Sequence, residues 1–161
     1  MSSYSYGKDR VCQWVRENFP HGSKILDVGA CNGLWKRLLP EYAMDAVEIF
    51  PPNIVWLKDY KNVFEGDICD YQYDWYDLII FGDVIEHLPV EKAQKVLEYA
   101  QKRCKDMIVA VPFLYVQGAI YGNVWEIHIQ DDLTPELVSE RYPMLTELVR
   151  ASDNYCYYHL R

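Results

Sequence analysis

The sequence predicts an α/β fold: a doubly wound, mostly parallel seven-stranded sheet with a C-terminal antiparallel hairpin. Three observations carry this. From residue 9 to residue 112, short apolar runs alternate with segments of helical period, the pattern of βαβ units and a parallel sheet. Leu78-Ile79-Ile80-Phe81 is continuously apolar between an acid and a glycine, as in a strand covered on both faces. After a last helix, Leu145–Ala151 and Tyr155–Leu160 flank Ser152-Asp153-Asn154, which reads as a closing hairpin.

Taken in order, residues 1–8 show no period and are expected to form a flexible arm. From Asp9, the residues Val11, Trp14, Val15 and Phe19 have helical spacing, ended by Pro20 and Gly22. Strand one is expected at 24–28, with a helix from Leu34 to about Leu39, stopped near Pro40. Ala43 to Ile49 reads as strand two, and Pro51-Pro52 excludes helix or central strand at that point. A short helix follows through Ile54, Val55 and Leu57, then a short third strand at Val63-Phe64. Strand four lies within Trp75–Gly82, and a helix covers Glu91 to Cys104, with Ala93, Val96, Leu97 and Ala100 on its apolar face. Met107 to Val111 is strand five, residues 113–132 are irregular and aromatic, and Thr134-Pro135-Glu136 opens a helix that ends near Tyr142-Pro143. No repeat, low-complexity tract or linker divides the chain, so residues 1–161 read as one domain.

Composition narrows the function classes. An apolar share of 50% with 25% charged residues is globular rather than disordered. The net charge of −8 argues against a nucleic acid substrate, because phosphate contacts need Lys and Arg, though a local basic patch could hide in the total. The same acid excess suits a positively charged ligand. Fourteen tyrosines suit half-wet clefts or strand surfaces. Five cysteines, an odd number with no C-x-x-C pair, read as reduced thiols. With no signal peptide and no apolar run of membrane length, the expectation is a soluble cytoplasmic protein without membrane contact.

The chemistry centres on Lys24 to Gly33, a strand, a glycine-bearing turn and the start of a helix. Glycine there tolerates positive φ and lets backbone approach a ligand. The dinucleotide fingerprint fails, since Cys31 and Leu34 occupy its second and third glycine positions, and no Gly-Lys-Ser/Thr follows for a P-loop. What remains is Asp27-x-Gly29-x-Cys31-x-Gly33. For the glycines alone, an ordinary strand-turn-helix corner explains the pattern as well as a ligand does.

This motif resembles the first motif of the class I S-adenosylmethionine (SAM)-dependent methyltransferases, an acid followed by alternate glycines, with Cys31 replacing the middle one. The element count extends the resemblance over nearly the whole chain and implies strand order 3-2-1-4-5-7-6, with SAM at the carboxyl ends of the strands. It implies that Asp27, Gly29, Ala30, Cys31 and Gly33 form the cofactor turn, and that Glu48, with Ile49, binds the ribose hydroxyls. Asp67 would accept from the adenine amino group while Ile68 packs on the ring. Glu48 could otherwise be a solvated strand-end acid, and Asp67 an Asx-turn residue. The stretch Phe81-Gly82-Asp83-Val84-Ile85-Glu86-His87-Leu88 resembles the family segment after strand four, placing Gly82, Asp83 and Val84 at the methionine end and His87 toward the methyl acceptor. The Asn/Asp-Pro-Pro-Tyr/Phe of DNA and protein amide methyltransferases is absent there, which favours a small-molecule acceptor.

His87 and His128 are the candidate catalytic residues, each weighed against a purely structural role. Either could orient or deprotonate an acceptor. With Glu86, Asp131 and Asp132 they could instead hold a metal, but helical metal spacing is lacking and no metal is expected. Aromatic faces at Tyr115, Tyr121 or Trp125 could stabilise a cation. The leading expectation is methyl transfer from SAM to an unidentified small molecule. The alternatives are a non-catalytic SAM-binding or partner-binding module of the same fold and, less well supported, an NAD-dependent oxidoreductase. A core this small could borrow residues from a dimer mate, or use Tyr4 and Tyr6 as a lid.

Overall fold

Backbone geometry and burial are described for residues 7–161 of a computed structural model. The expected arm and its Tyr4-Tyr6 lid fall mainly on residues 1–6, outside the described residues. Where the arm was expected to continue, Lys8 instead begins a helix and is buried.

The strands are β1 (Lys24–Val28), β2 (Ala43–Glu48), β3 (Asn62–Glu65), β4 (Tyr76–Gly82), β5 (Cys104–Pro112), β6 (Leu145–Ser152) and β7 (Tyr155–Leu160). They form one sheet in the order β3-β2-β1-β4-β5-β7-β6. The pairs β3-β2, β2-β1, β1-β4 and β4-β5 are parallel, and β7 runs antiparallel to both β5 and β6. This is the expected mostly parallel sheet with its antiparallel hairpin. The edge strand β6 is irregular, its register against β7 shifting between Glu147 and Val149 and again between Arg150 and Ser152. The opposite edge, β3, has only four residues.

Helices cover both faces: α1 (Lys8–Asn18), α2 (Leu34–Leu38), α3 (Val90–Gln101) and α4 (Pro135–Arg141). Side chains alternate across the sheet because successive strand residues point to opposite faces. Leu26 and Val28 of β1, with Ile79 and Phe81 of β4, pack toward Ala93, Val96, Leu97 and Ala100 of α3. Ile25, Leu78 and Ile80 pack on the other side with Val11, Cys12 and Val15 of α1. The central strands are therefore apolar on both faces, which is why β4 reads as an uninterrupted hydrophobic run.

Some boundaries differ from expectation for identifiable reasons. Cys104 opens β5 rather than closing the preceding helix, which stops three residues earlier at Gln101. Pro51-Pro52 does not exclude helix: the two prolines begin a 3₁₀ segment, Pro51–Trp56, where their missing N–H groups would have had no partner in any case. The α2 helix, Leu34–Leu38, ends where expected, just before Pro40. Thr134 caps α4 as expected, accepting from the Leu137 N–H at 3.2 Å, with Pro135 at the first helical position. Several tyrosines belong to the core rather than to a cleft. Tyr42 donates to Phe19 O at 2.9 Å, Tyr76 to Asp45 at 2.8 Å and Tyr142 to Gln130 at 2.8 Å, so each buries its ring while its hydroxyl stays satisfied.

Of the cysteines, Cys12, Cys104 and Cys156 are buried, while Cys31 and Cys69 are partly accessible, and all five are free thiols. Among the described residues no helix is long and apolar enough to cross a membrane. Leu97 is wholly buried between α3 and the sheet, so Leu97→Ala is expected to cost about 2–5 kcal/mol, read as a lowered urea midpoint with unchanged slope.

Candidate functional site

Strand order reverses between β1 and β4: from β1 the chain proceeds outward to β2 and β3, then returns to build β4 and β5 on the other side. The diverging connections leave a crevice at the carboxyl ends of the strands, where open α/β sheets bind ligands. A cavity of about 490 Å³ lies there. Of the residues singled out from the sequence, Gly29, Ala30, Cys31, Glu48, Ile49, Asp67, Ile68, Gly82, Asp83, Val84, His87 and His128 all line it. Asp27 and Gly33 do not; they lie behind the loop that forms its wall.

The β1–α2 loop forms that wall. Gly29 has φ 68°, and its N–H donates to Val47 O at 2.9 Å, turning the loop across the end of β2. A Cβ built on Gly29 would come within 2.8 Å of a Val84 methyl, so a side chain there meets protein as well as any ligand. Cys31 also has positive φ, at 49°, a conformation that a glycine would adopt without strain. Gly82 is required by close approach instead: an added Cβ would stand 2.6 Å from the Trp35 indole nitrogen.

Glu48, at the end of β2, is 4% exposed. One carboxylate oxygen accepts from the Cys31 N–H at 2.7 Å and the other from the Phe50 N–H at 2.8 Å. Burial raises its pKa, and these two backbone donors oppose the rise. The Asn53 side chain, also in the cavity wall, is a third donor to Glu48, so of about four acceptor positions a ligand meets one open and one that it would share with or take from Asn53. Asp67 is fixed in the Asx turn foreseen as its alternative role, one oxygen accepting from the Cys69 N–H at 2.8 Å.

Asp27 faces away from the cavity, on the α1 side of the sheet, and is fully buried. Tyr60 donates a hydrogen bond to one of its oxygens, and the other has no hydrogen-bond partner. Burial pushes its carboxyl up to about 7, against the Tyr60 bond, with the charge of Glu48 adding to the rise. Tyr60 also sits 3.3 Å from where a Cβ on Gly33 would be, so Asp27, Tyr60 and Gly33 brace the loop from behind.

Two residues near the site carried no sequence signal. Lys8 is 3% exposed and donates to the Tyr157 hydroxyl at 3.1 Å, with its ammonium 5.1 Å from the Trp35 ring centre. Burial lowers its pKa and the charge of Asp83 opposes that. Tyr155 of β7 donates to Asp83, which has φ 59°. These contacts link the first described helix to the β4 loop through residues 149 positions apart in the chain.

The other end of the cavity holds Glu86, His87 and His128. Glu86 and His87 belong to a one-turn 3₁₀ segment, Ile85–His87. Its backbone is fixed from outside: Glu86 O accepts from the Ile129 and Gln130 N–H groups at 2.8 and 2.9 Å, and the Gln130 amide donates to Ile85 O at 2.7 Å. The Glu86 side chain is fully buried, and neither carboxyl oxygen has a hydrogen-bond partner. Burial, then the nearby charge of Asp83, raises its pKa well above the usual carboxylate range. His87 Nδ1 lies 3.1 Å from Ile127 O, and His128 Nδ1 lies 2.7 Å from Tyr115 O. A carbonyl only accepts, so each ring carries a proton on Nδ1, and in its neutral tautomer the lone pair lies on Nε2. Burial also lowers the pKa of His87, favouring this neutral form. Of the acids considered beside the histidines, Asp132 is instead held by Arg141 at 2.8 Å, and neither it nor Asp131 belongs to the cluster. Tyr115 and Trp125 line the cavity, whereas Tyr121 is fully exposed.

Acids thus outnumber bases around the cavity, and the charge of Asp83 adds to the proton affinity of Glu86. Asp27 gives a test of this electrostatic frame. Its carboxyl is lifted from an ordinary 3.8 to about 7, so between those values the folded chain holds a proton that the unfolded chain releases. Its contribution to stability therefore falls as pH rises through about 4 to 7, and Asp27→Asn should flatten that part of the curve of urea midpoint against pH. Cys31→Gly should leave stability equal or higher, by up to about 1–2 kcal/mol in the same titration, because it relieves a left-handed non-glycine residue.

No family model and no curated protein sequence matches the chain. Solved structures do. A SAM-dependent methyltransferase from Clostridium acetobutylicum ATCC 824 superposes with a TM-score of 0.74 at 13% identity, covering 98% of this chain and 92% of the other. The magnesium protoporphyrin IX methyltransferase of Synechocystis PCC 6803 gives 0.67 at 14% identity, covering 94% and 76%. The pyocyanin biosynthetic protein PhzM gives 0.69 at 12% identity, covering 95% of this chain and 54% of its own. The chain spans about half the length of PhzM, and 48% and 53% of two solved methyltransferases that it resembles. At these identities the likeness establishes architecture, and with the strand order β3-β2-β1-β4-β5-β7-β6 it shows that this chain has the fold of the class I SAM-dependent methyltransferases.

Proposed function

We propose that the chain is a SAM-dependent methyltransferase acting on a small-molecule acceptor. The observation that carries this reading is Glu48: a buried carboxylate at the end of β2, aligned by two backbone N–H groups and lining the same cavity as the Gly29 loop. A carboxylate so placed can accept from two neighbouring hydroxyls of a ribose at once. The acid-rich cavity favours a ligand bearing positive charge. Structures of this fold were solved with SAM bound in the Synechocystis enzyme and in the presence of S-adenosylhomocysteine and D-fucose in another neighbour, which supports the cofactor and a small acceptor.

Bound SAM would supply a methyl group already activated by its sulfonium. The chain's own residues have three tasks. The Gly29–Cys31 loop and Glu48 fix the nucleoside, and Asp67 with Ile68 meets the base. Gly82, Asp83 and Val84 position the amino acid end, with Asp83 held by Tyr155. His87 and His128, each with Nδ1 held by a backbone carbonyl, face the acceptor side, where an unprotonated Nε2 can take up the proton that a hydroxyl or amine must lose. Alignment of donor and acceptor accounts for most of the rate, because the leaving group needs no further activation.

Calorimetry should show binding of SAM and S-adenosylhomocysteine, with NAD and ATP much weaker; comparable NAD affinity would sink the proposal. Glu48→Ala should cost about 1.5–3 kcal/mol of SAM binding, the size of hydrogen bonds to a charged group. Incubation with methyl-labelled SAM and fractionated cell extract would identify the acceptor. Tight SAM binding with nothing labelled would replace the enzyme by a SAM-binding module.

A further inference from the structure

We propose that Glu86, His87 and His128 form a binding site for a divalent transition-metal ion at the acceptor end of the cavity. The case rests on which groups converge there. The potential ligand atoms of these three residues all lie within 4.8 Å of one another, and all three residues line the cavity. The ring centres of His87 and His128 are 4.8 Å apart at 74°. Each ring spends its Nδ1 proton on a backbone carbonyl, Ile127 O for His87 and Tyr115 O for His128. That leaves Nε2 as an acceptor in both. Metal-bound histidines are oriented by such outer hydrogen bonds.

Glu86 supplies the second observation. Its side chain is fully buried, and neither oxygen has a hydrogen-bond partner. A buried carboxyl left without a partner costs free energy, and native proteins rarely leave one so. Neither neutral imidazole can satisfy it, because neither has a proton left to give. With Glu86 ionised, three acceptors converge with no donor among them, and a proton shared among them is the resolution that competes with a cation. A cation between them resolves the conflict. Two imidazole nitrogens and one carboxylate oxygen are the ligands of Zn²⁺ and Fe²⁺ sites that keep open coordination positions. Ligand atoms around such an ion stand roughly 3.4 Å apart, from metal–ligand distances of about 2.1 Å. The three groups need to close by up to about 1.4 Å, which the unbonded Glu86 side chain permits. The open positions would face the cavity, where an acceptor bearing a hydroxyl or carboxylate oxygen could coordinate and lose its proton more readily. This last role rests on the methyltransferase reading; the metal site itself does not.

The test uses the full chain freed of metal by chelation and then titrated with Co²⁺, followed by Zn²⁺ in competition. One Co²⁺ per chain is expected, with visible absorption bands that Zn²⁺ abolishes. Glu86→Gln and His128→Ala should each weaken Co²⁺ binding at least tenfold. Both should still bind S-adenosylhomocysteine, which shows that they fold and separates failure of the metal site from failure of the cofactor reading. On the wild-type chain alone, bound Zn²⁺ should protect His87 and His128, but not exposed His21, from diethylpyrocarbonate, located by peptide mass spectrometry. Absence of saturable Co²⁺ or Zn²⁺ binding overturns the site and leaves a shared proton as the resolution of the three acceptors. Binding that survives both substitutions, or protection that omits His87 and His128, overturns it equally.

Discussion

The cavity depends on one buried carboxylate. Glu48 accepts from the backbone of the β1–α2 loop through Cys31 and from its own strand end through Phe50. These bonds pull two separate connections together at the point where the strand order reverses. A neutral side chain could not satisfy two such donors as strongly, since hydrogen bonds to a charged acceptor are about twice as strong as neutral ones. The loop has further support from behind, where Tyr60 bonds Asp27 and packs near Gly33. The acids at positions 27 and 48 thus act on opposite sides of one loop, one facing the core and one facing the cavity.

The central strands and the two amphipathic faces of the sheet were legible because burial on both sides leaves a compositional trace. Leu78 to Phe81 could hardly be anything but an interior strand. Thr134-Pro135 marked its helix start because a cap and a fixed φ are local properties. Boundaries set by tertiary context were less legible. Cys104 carries on the helical apolar period of α3, yet it belongs to β5, because the turn after Gln101 is dictated by pairing with Tyr76 on β4. Pro51-Pro52 was read as a barrier to helix when it is a helix start. The short α2 was legible to within a residue, because Pro40 stops it where expected.

The site divides in the same way. Residues near β1, β2 and β4, such as Gly29, Glu48 and Gly82, follow the chain closely enough for spacing to place them. Lys8 could not be found by spacing, because its partners Tyr157 and Trp35 come from distant parts of the sequence. Asp131 and Asp132 looked like natural companions for His128, but Arg141 one helix later takes Asp132. Glu86 illustrates the converse. Its place beside His87 was plain in the sequence, while the lack of a hydrogen-bond partner for its buried oxygens emerges only from packing.

The broken register of β6 has a consequence for how copies of this chain meet. An outermost strand with regular pairing exposes a row of unsatisfied backbone groups that another molecule can zip onto. Here the shifts near Val149 and Ser152 interrupt that row, and on the far side β3 offers only four residues, with Asn62 and Glu65 at its ends. Neither margin is a good template for continuing the sheet into a neighbour. Association between copies is thereby steered away from strand addition and toward contacts between side-chain surfaces, which keeps the crevice at the strand ends from being drawn into an extended ribbon.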